Sequence, residues 1–366
     1  MAYVERGQSQ SALEFLNVIW FDEKSGTSIK KTIDSARTGP AGGGLAQIKL
    51  LVAERSIYLA ARKCASLQLN PTCDVIFYTL STDDPNFLKR EILPFAAMGL
   101  VSNIDGIDLA FYKGKVYVFS TSIALIGGTV QGTYISFKQG DHWQIVSMSS
   151  NVFGQLAVEM VQENNNDFAY LTGVDLNGIL KLAKWDLGTA QMAWEKSISG
   201  GPITVWRQGN HVRLGLDSQG PVVAFTTTSP VQTGVAIYHE INNQPSYRYI
   251  LANTRAHDMS PSLFNSGFYI FVTADNLVNK TINYSLFHPN TNVFLINNQP
   301  IAATAASLPP AISKVDQRLL DFYVAQNEVG SVYIHYVNIL QGQVKQIFVD
   351  QPQPFYSIQE VVLERI

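Results

Sequence analysis

The chain has 366 residues, of which 15% are charged, with a net charge of −3 and a pI near 6.1. Its basic residues form only isolated pairs such as Lys30-Lys31 and Lys89-Arg90, which excludes nucleic-acid binding by phosphate neutralisation. No apolar run reaches the roughly 18 residues of a membrane helix, so no membrane insertion is expected.

From the N-terminus, Met1–Gln8 carries no apolar targeting core, so the sequence predicts a chain that is cytoplasmic or released by a non-classical route. Ser11–Phe21 and Asp84–Phe95 are the best helical stretches, the second with Pro85 at a first turn and Pro94 as its stop, with a single turn in an inter-blade loop as the alternative for either. Elsewhere the chain reads as strands. Seven pairs of apolar runs, each split by a polar or glycine-bearing loop, recur along it. They are Phe15–Phe21 with Ser28–Ile33, Ile57–Ala60 with Asp74–Leu80, and Val116–Phe119 with Thr133–Phe137. Phe168–Leu171 with Ile179–Trp185, Val222–Phe225 with Val235–Tyr238, Phe268–Val272 with Thr281–Phe287, and Leu319–Val324 with Ser331–Val337 complete the series. Their first strands are 42, 59, 52, 54, 46 and 51 residues apart, near the period of about 40–50 expected of propeller blades. The pattern predicts an all-β fold, a seven-bladed β-propeller of four-stranded antiparallel blades forming one domain over 1–366, with six blades as the alternative. Ser357–Ile366 alternates well beyond the last pair. It is expected to join the N-terminal blade and cover its open edge.

The two cysteines, Cys64 and Cys73, flank the loop of the second pair. A disulfide across that loop and two free thiols are both compatible with the spacing. Neither the cysteines nor the six dispersed histidines make a metal site, so no cofactor is expected. Asn279-Lys280-Thr281 and Asn283-Tyr284-Ser285 match the N-glycosylation triplet. Motifs for a nucleophile elbow, a zinc protease, a phosphate loop or a dinucleotide fold are absent. Asp105, Asp108, Asp217, Asp258 and Asp316 sit near the innermost strand of a unit. They are either a carboxylate pair for glycoside cleavage or, the reading preferred here, residues that satisfy turn amides.

Aromatic residues are the stronger functional signal. A sugar needs a flat apolar face and planar polar groups, which Trp, Tyr, Asn and Gln supply. Trp143 follows Asp141-His142, and Trp185 closes the strand that follows the Asn177-Gly178 turn. Glu240 and Arg248 flank the turn Asn242–Pro245 and come nearest to a Glu/Arg pair. The stretch Asp175–Trp185, with Asp175, Gly178 and Leu180 in a D-x-x-G-x-(I/L) turn, resembles the blade signature of fungal and bacterial propeller lectins. The resemblance covers one unit of about 25 residues and implies propeller architecture and glycan binding. In the fucose-binding branch an Arg and a Glu meet an aromatic of the next blade. Here Lys181 and Lys184 occupy the strand, so that site does not carry over. The sequence therefore predicts a carbohydrate-binding propeller without catalysis, taking a glycan or glycoprotein ligand at Trp143, Trp185, Glu240 and Arg248. The alternatives are a scaffold with a protein partner on one face, and a hydrolase or lyase with an axial carboxylate site.

Overall fold

The computed structural model describes the chain except residues 8–11, 38–43, 65–72, 94, 96–101, 125–130, 152, 199–211, 218, 229–232, 242–243, 251–253, 260–267, 276–280, 304–309, 314–315, 317–319, 329–330, 352–355 and 366. It gives the backbone alone at 102–105, 123–124, 226–228, 233–236, 240–241, 244–245, 247, 249–250, 254–257, 275, 327–328 and 357. The fold is a seven-bladed β-propeller, each blade a four-stranded antiparallel sheet, with no helix among the described residues.

Blade 1 runs β28 (Tyr356–Val362), β1 (Ala2–Gly7), β2 (Leu13–Asp22), β3 (Thr27–Arg37). Blade 2 holds β4 (Gly44–Ala53), β5 (Ser56–Cys64), β6 (Cys73–Ser81) and β7 (Leu88–Ile92). Blade 3 holds β8 (Ser102–Tyr112), β9 (Lys115–Ala124), β10 (Gly132–Gln139) and β11 (His142–Ser149). Blade 4 holds β12 (Gly154–Glu163), β13 (Asn166–Val174), β14 (Leu180–Asp186) and β15 (Gln191–Ser197). These four blades form one compact unit, Met1–Ser197 with Gln353–Val362.

A second unit, Ile198–Pro352 with Leu363–Arg365, holds the other three blades. Blade 5 is β16 (Val212–Asp217), β17 (Gly220–Thr228), β18 (Thr233–Ile241) and β19 (Gln244–Ile250). Blade 6 is β20 (Thr254–Met259), β21 (Tyr269–Asp275), β22 (Thr281–His288) and β23 (Val293–Ala303). Blade 7 is β24 (Ala311–Ile312), β25 (Asp321–Glu328), β26 (Ser331–Asn338) and β27 (Gln343–Asp350).

All seven hairpins read from the sequence are present. In blades 2 to 7 they are the second and third strands. In blade 1 the pair is β2–β3, the third and fourth, which explains the short first step of the spacing. The strand before that pair is β1, and β28 pairs antiparallel along it from Ala2↔Val362 to Gly7↔Tyr356, as the C-terminal alternation predicted.

Both helical expectations are overturned. Leu13–Asp22 is a strand between β1 and β3 whose Leu16 and Val18 lie in the core shared with blade 2, so sheet pairing and burial override the local pattern. Asp84 caps a turn, accepting the Asn86 and Phe87 amides on its side chain and carbonyl, and leads into the strand β7. The first hairpins of blades 2, 3 and 4 turn on Glu54–Arg55, Lys113–Gly114 and Asn164–Asn165, each pair with two positive φ angles. That conformation matches the twist of the flanking strands.

Large side chains fill the seams between successive blades. The seam of blades 2 and 3 packs Val75, Phe77, Leu93 and Phe95 against Ile107, Val118 and Tyr134. The seam of blades 3 and 4 packs Phe119, Ile135 and Met148 against Phe153, Leu156, Leu171 and Trp185. Cys64 and Cys73 face one another across the β5–β6 ladder and form a disulfide with Cα atoms 4.0 Å apart, which decides between the two sequence-level alternatives.

Candidate functional site

Trp143 and Trp185 have different fates. Trp185 stands on β14, a third strand, paired with Ala169 and Met192. It is 5% exposed inside the seam of blades 3 and 4 and offers no face to a ligand. Trp143 stands on β11, a fourth strand at the sheet edge, opposite Lys138. It is half-buried at the rim of the seam of blades 2 and 3. Its ring meets Phe77 edge-on at 5.0 Å, and Phe77 in turn stacks on Tyr58 at 6.0 Å.

Charged groups collect beside this indole. Lys138 Nζ lies 5.5 Å from the Trp143 ring and bonds both Glu91 oxygens, at 2.9 and 2.7 Å. Lys89 Nζ is 3.4 Å from Glu91 Oε1, and that carboxylate raises the Lys89 pKa. Glu91 and Lys89 come from β7 of blade 2, and Lys138 from β10 of blade 3, so this group is assembled only where two blades meet. The Trp143 Nε1 donor is buried and has no acceptor among the described residues. A buried donor left unpaired costs about 1–3 kcal/mol.

The preceding seam also gathers charged groups around one carboxylate. Asp34 of β3 reaches blade 2, where Lys63 at 2.7 Å, Arg90 at 3.2 Å and the Tyr78 hydroxyl all hold its carboxylate. Burial raises the Asp34 pKa, but the bonds from Lys63 and Tyr78 outweigh it and hold the group below its ordinary value. Nothing in the sequence spacing marked Asp34, Glu91 or Lys138, because their partners across the seams are 29 to 56 residues away in a different blade, whereas Lys89 lies beside Glu91 on the same strand.

Glu240 lies opposite Pro245 and Arg248 opposite Ile237, three rungs apart in the β18–β19 ladder. The Glu240 side chain lies outside the described residues, and Arg248 Nε donates to the Asn292 carbonyl at 2.8 Å. Of the acids, Asp108 accepts the Val158 amide at 2.8 Å and lies 3.7 Å from Lys49 Nζ. Asp258 accepts the Ile312 amide at 3.1 Å and pairs with Arg213. Asp217 closes its own turn through the Gln219 and Gly220 amides, with its second oxygen 3.0 Å from His239 Nε2 but off line for a hydrogen bond. The Asp105 side chain lies outside the described residues, and Asp316 sits at a bridge to Asp321. Asn283, the acceptor of the second glycosylation triplet, is 2% exposed within β22, whereas Asn279 lies outside the described residues. Among the described residues no cluster of His, Cys, Asp and Glu is arranged to hold a metal ion.

No protein-family model matches the chain, and no curated protein sequence matches it. Solved structures do. A candidate 6-phosphogluconolactonase from Bacteroides fragilis NCTC 9343 aligns over 98% of each chain at 11% identity and a TM-score of 0.50. A similar protein from Bacteroides uniformis ATCC 8492 gives 12% identity and a TM-score of 0.49 over 98% and 99% of the two chains. A mutant of AofleA from Arthrobotrys oligospora gives 9% and 0.49 over 87% of this chain and 90% of its own. At these identities the first likeness speaks to fold alone.

Proposed function

We propose that the chain is a carbohydrate-binding propeller, one domain over 1–366, that holds a glycan or glycoprotein ligand without turning it over. The observation that carries this reading is the group of aromatic and charged side chains at the rim of the seam of blades 2 and 3. There an aromatic platform, Trp143 on Phe77, stands beside a carboxylate and two ammonium groups. The indole face suits the C–H face of a pyranose, while Glu91, Lys138 and Lys89 suit its hydroxyls. The occupied carboxylates of Asp108 and Asp258 support a role without catalysis, since each is committed to a backbone amide and a cation.

The test is a broad glycan array with Trp143→Ala and Glu91→Gln in parallel. Selective binding that falls at least tenfold in Trp143→Ala, with the thermal midpoint near that of the parent, supports the reading. A folded parent that binds no glycan overturns it.

A second reading, a protein-interaction scaffold, rests on the fourth strands of blades 6 and 7. Val293 and Leu295 on β23 and Val344 and Phe348 on β27 are all exposed. Polar substitution of Val344 and Phe348 that leaves glycan binding intact but abolishes capture of a protein partner would favour it.

A further inference from the structure

The first strand of each blade is the edge of its sheet, and an edge strand presents amides that its own sheet does not satisfy. Among the described residues, carboxylates from the preceding blade meet this need at several points, as Glu14 of β2 does for the Leu45 amide of β4, and three of these carboxylates stand on a first strand themselves. Asp108 of β8 accepts the Val158 amide of β12 at 2.8 Å. Asp258 of β20 accepts the Ile312 amide of β24 at 3.1 Å. Glu360 of β28 accepts amides of Gln47 and Ile48 in β4, where the ladder skips from Ala46 to Lys49 and Gln47 takes a φ of 52°. That bulge turns two neighbouring amides toward one carboxylate.

Two of these carboxylates, Asp108 and Asp258, also look backwards. Asp108 lies 3.7 Å from Lys49 of blade 2, and Asp258 pairs with Arg213 of blade 5. The cations stand at one shared rung. Lys49 and Arg213 each lie four residues before the rung that closes the first turn, Ala53↔Ser56 and Asp217↔Gly220. Asp108 and Glu159 hold that rung in blades 3 and 4, where Tyr112↔Lys115 and Glu163↔Asn166 close the turn. A three-blade arrangement of cation, carboxylate and amide thus occurs once in each compact unit, on unrelated local sequence.

We propose that this rung is a docking code. A carboxylate in the first strand of one blade caps the edge amide of the following blade and pairs with the cation of the preceding blade, so that blade order and register are fixed together. The acids that a sequence search marks as candidate catalysts are then interblade clasps. This inference is independent of the carbohydrate reading.

The experiment pairs stability with site-resolved exchange. Asp108→Ala and Asp258→Ala, with Asp108→Asn and Asp258→Asn as milder forms, are compared with Lys49→Met, Arg213→Met and the corresponding double variants. Thermal midpoints and amide hydrogen exchange are measured for each. The expected result is a midpoint several degrees lower in each Asp→Ala variant, exchange at Val158 or Ile312 at least tenfold faster, and non-additive double variants. If an Ala form does not fold, the Asn form is read instead, and is expected to lose the coupling to Lys49 or Arg213. Unchanged midpoints, unaccelerated amides, or effects that add within error overturn the proposal.

Discussion

The two neighbouring seams of blade 3 are built from the same kinds of residue and end up with opposite properties. Toward blade 4 the seam is closed. Trp185 is inside it, and Gly106 and Gly173 both lie against the Phe153 segment, where an added Cβ on either would come within 2.9 Å of its backbone or side chain. Toward blade 2 the seam is closed only in its depth. At the rim it leaves Trp143 half-buried among Glu91, Lys138 and Lys89. A Trp on a third strand is roofed by the fourth strand and the preceding blade, whereas a Trp on the fourth strand has sheet on one side only. Position within the blade, more than residue type, separates a packing residue from a surface one.

The strongest way to break this comparison is to truncate both indoles. Trp185→Ala is expected to cost about 3–5 kcal/mol in urea unfolding, the range for a large buried aromatic. Trp143→Ala should cost well under half of that and lose ligand instead. Equal costs would mean that the two seams are packed alike.

Acid should distinguish blade 7 from either seam. Burial holds His335, 1% exposed on β26, at a pKa of about 4 against an ordinary 6.5. The unfolded chain takes up the proton first. Stability from this group is therefore complete above about pH 6.5 and is lost as pH falls toward 4, by about 3 kcal/mol in all. His335→Leu should flatten that part of the pH–stability curve, and an unchanged slope would remove His335 as its source.

Reducing the Cys64–Cys73 disulfide opens a short loop on the blade 2 side of the rim seam, and about 2–3 kcal/mol is expected from the entropy of that closure. The loss should be seen as a lower thermal midpoint in the presence of a phosphine reductant. No loss would show that register pairing alone holds the β5–β6 end. The smallest effect is expected from Glu91→Gln. Its pairs with Lys138 and Lys89 are partly exposed, so stability should change by less than about 1 kcal/mol. Ligand affinity should fall several-fold, and an unaltered affinity would remove Glu91 from the site.

Much of the sheet structure was legible in the chain. Val116–Phe119, Thr133–Phe137 and their counterparts show the alternation of a strand, and Lys113-Gly114 and Asn164-Asn165 carry the turn chemistry. The first strands were harder to see, because Lys49, Asp108, Arg213 and Asp258 interrupt them with charge, and that charge makes sense only against an adjacent blade. The helical expectation for Ser11–Phe21 failed for the same reason, since the strand that forms there pairs with β1, which lies next to β28 from the far end of the chain.

By itself, the sequence determined an all-β chain of seven repeated hairpins, the closing strand at its end, and the absence of recognised catalytic motifs. Periodicity and turn residues are local properties and survive without knowledge of the neighbours. The tertiary structure alone decided which tryptophan is buried, which acids are committed to amides, and where aromatic and charged groups meet at a seam. Those outcomes depend on contacts between blades whose residues are tens of positions apart, and no local pattern encodes which faces will meet.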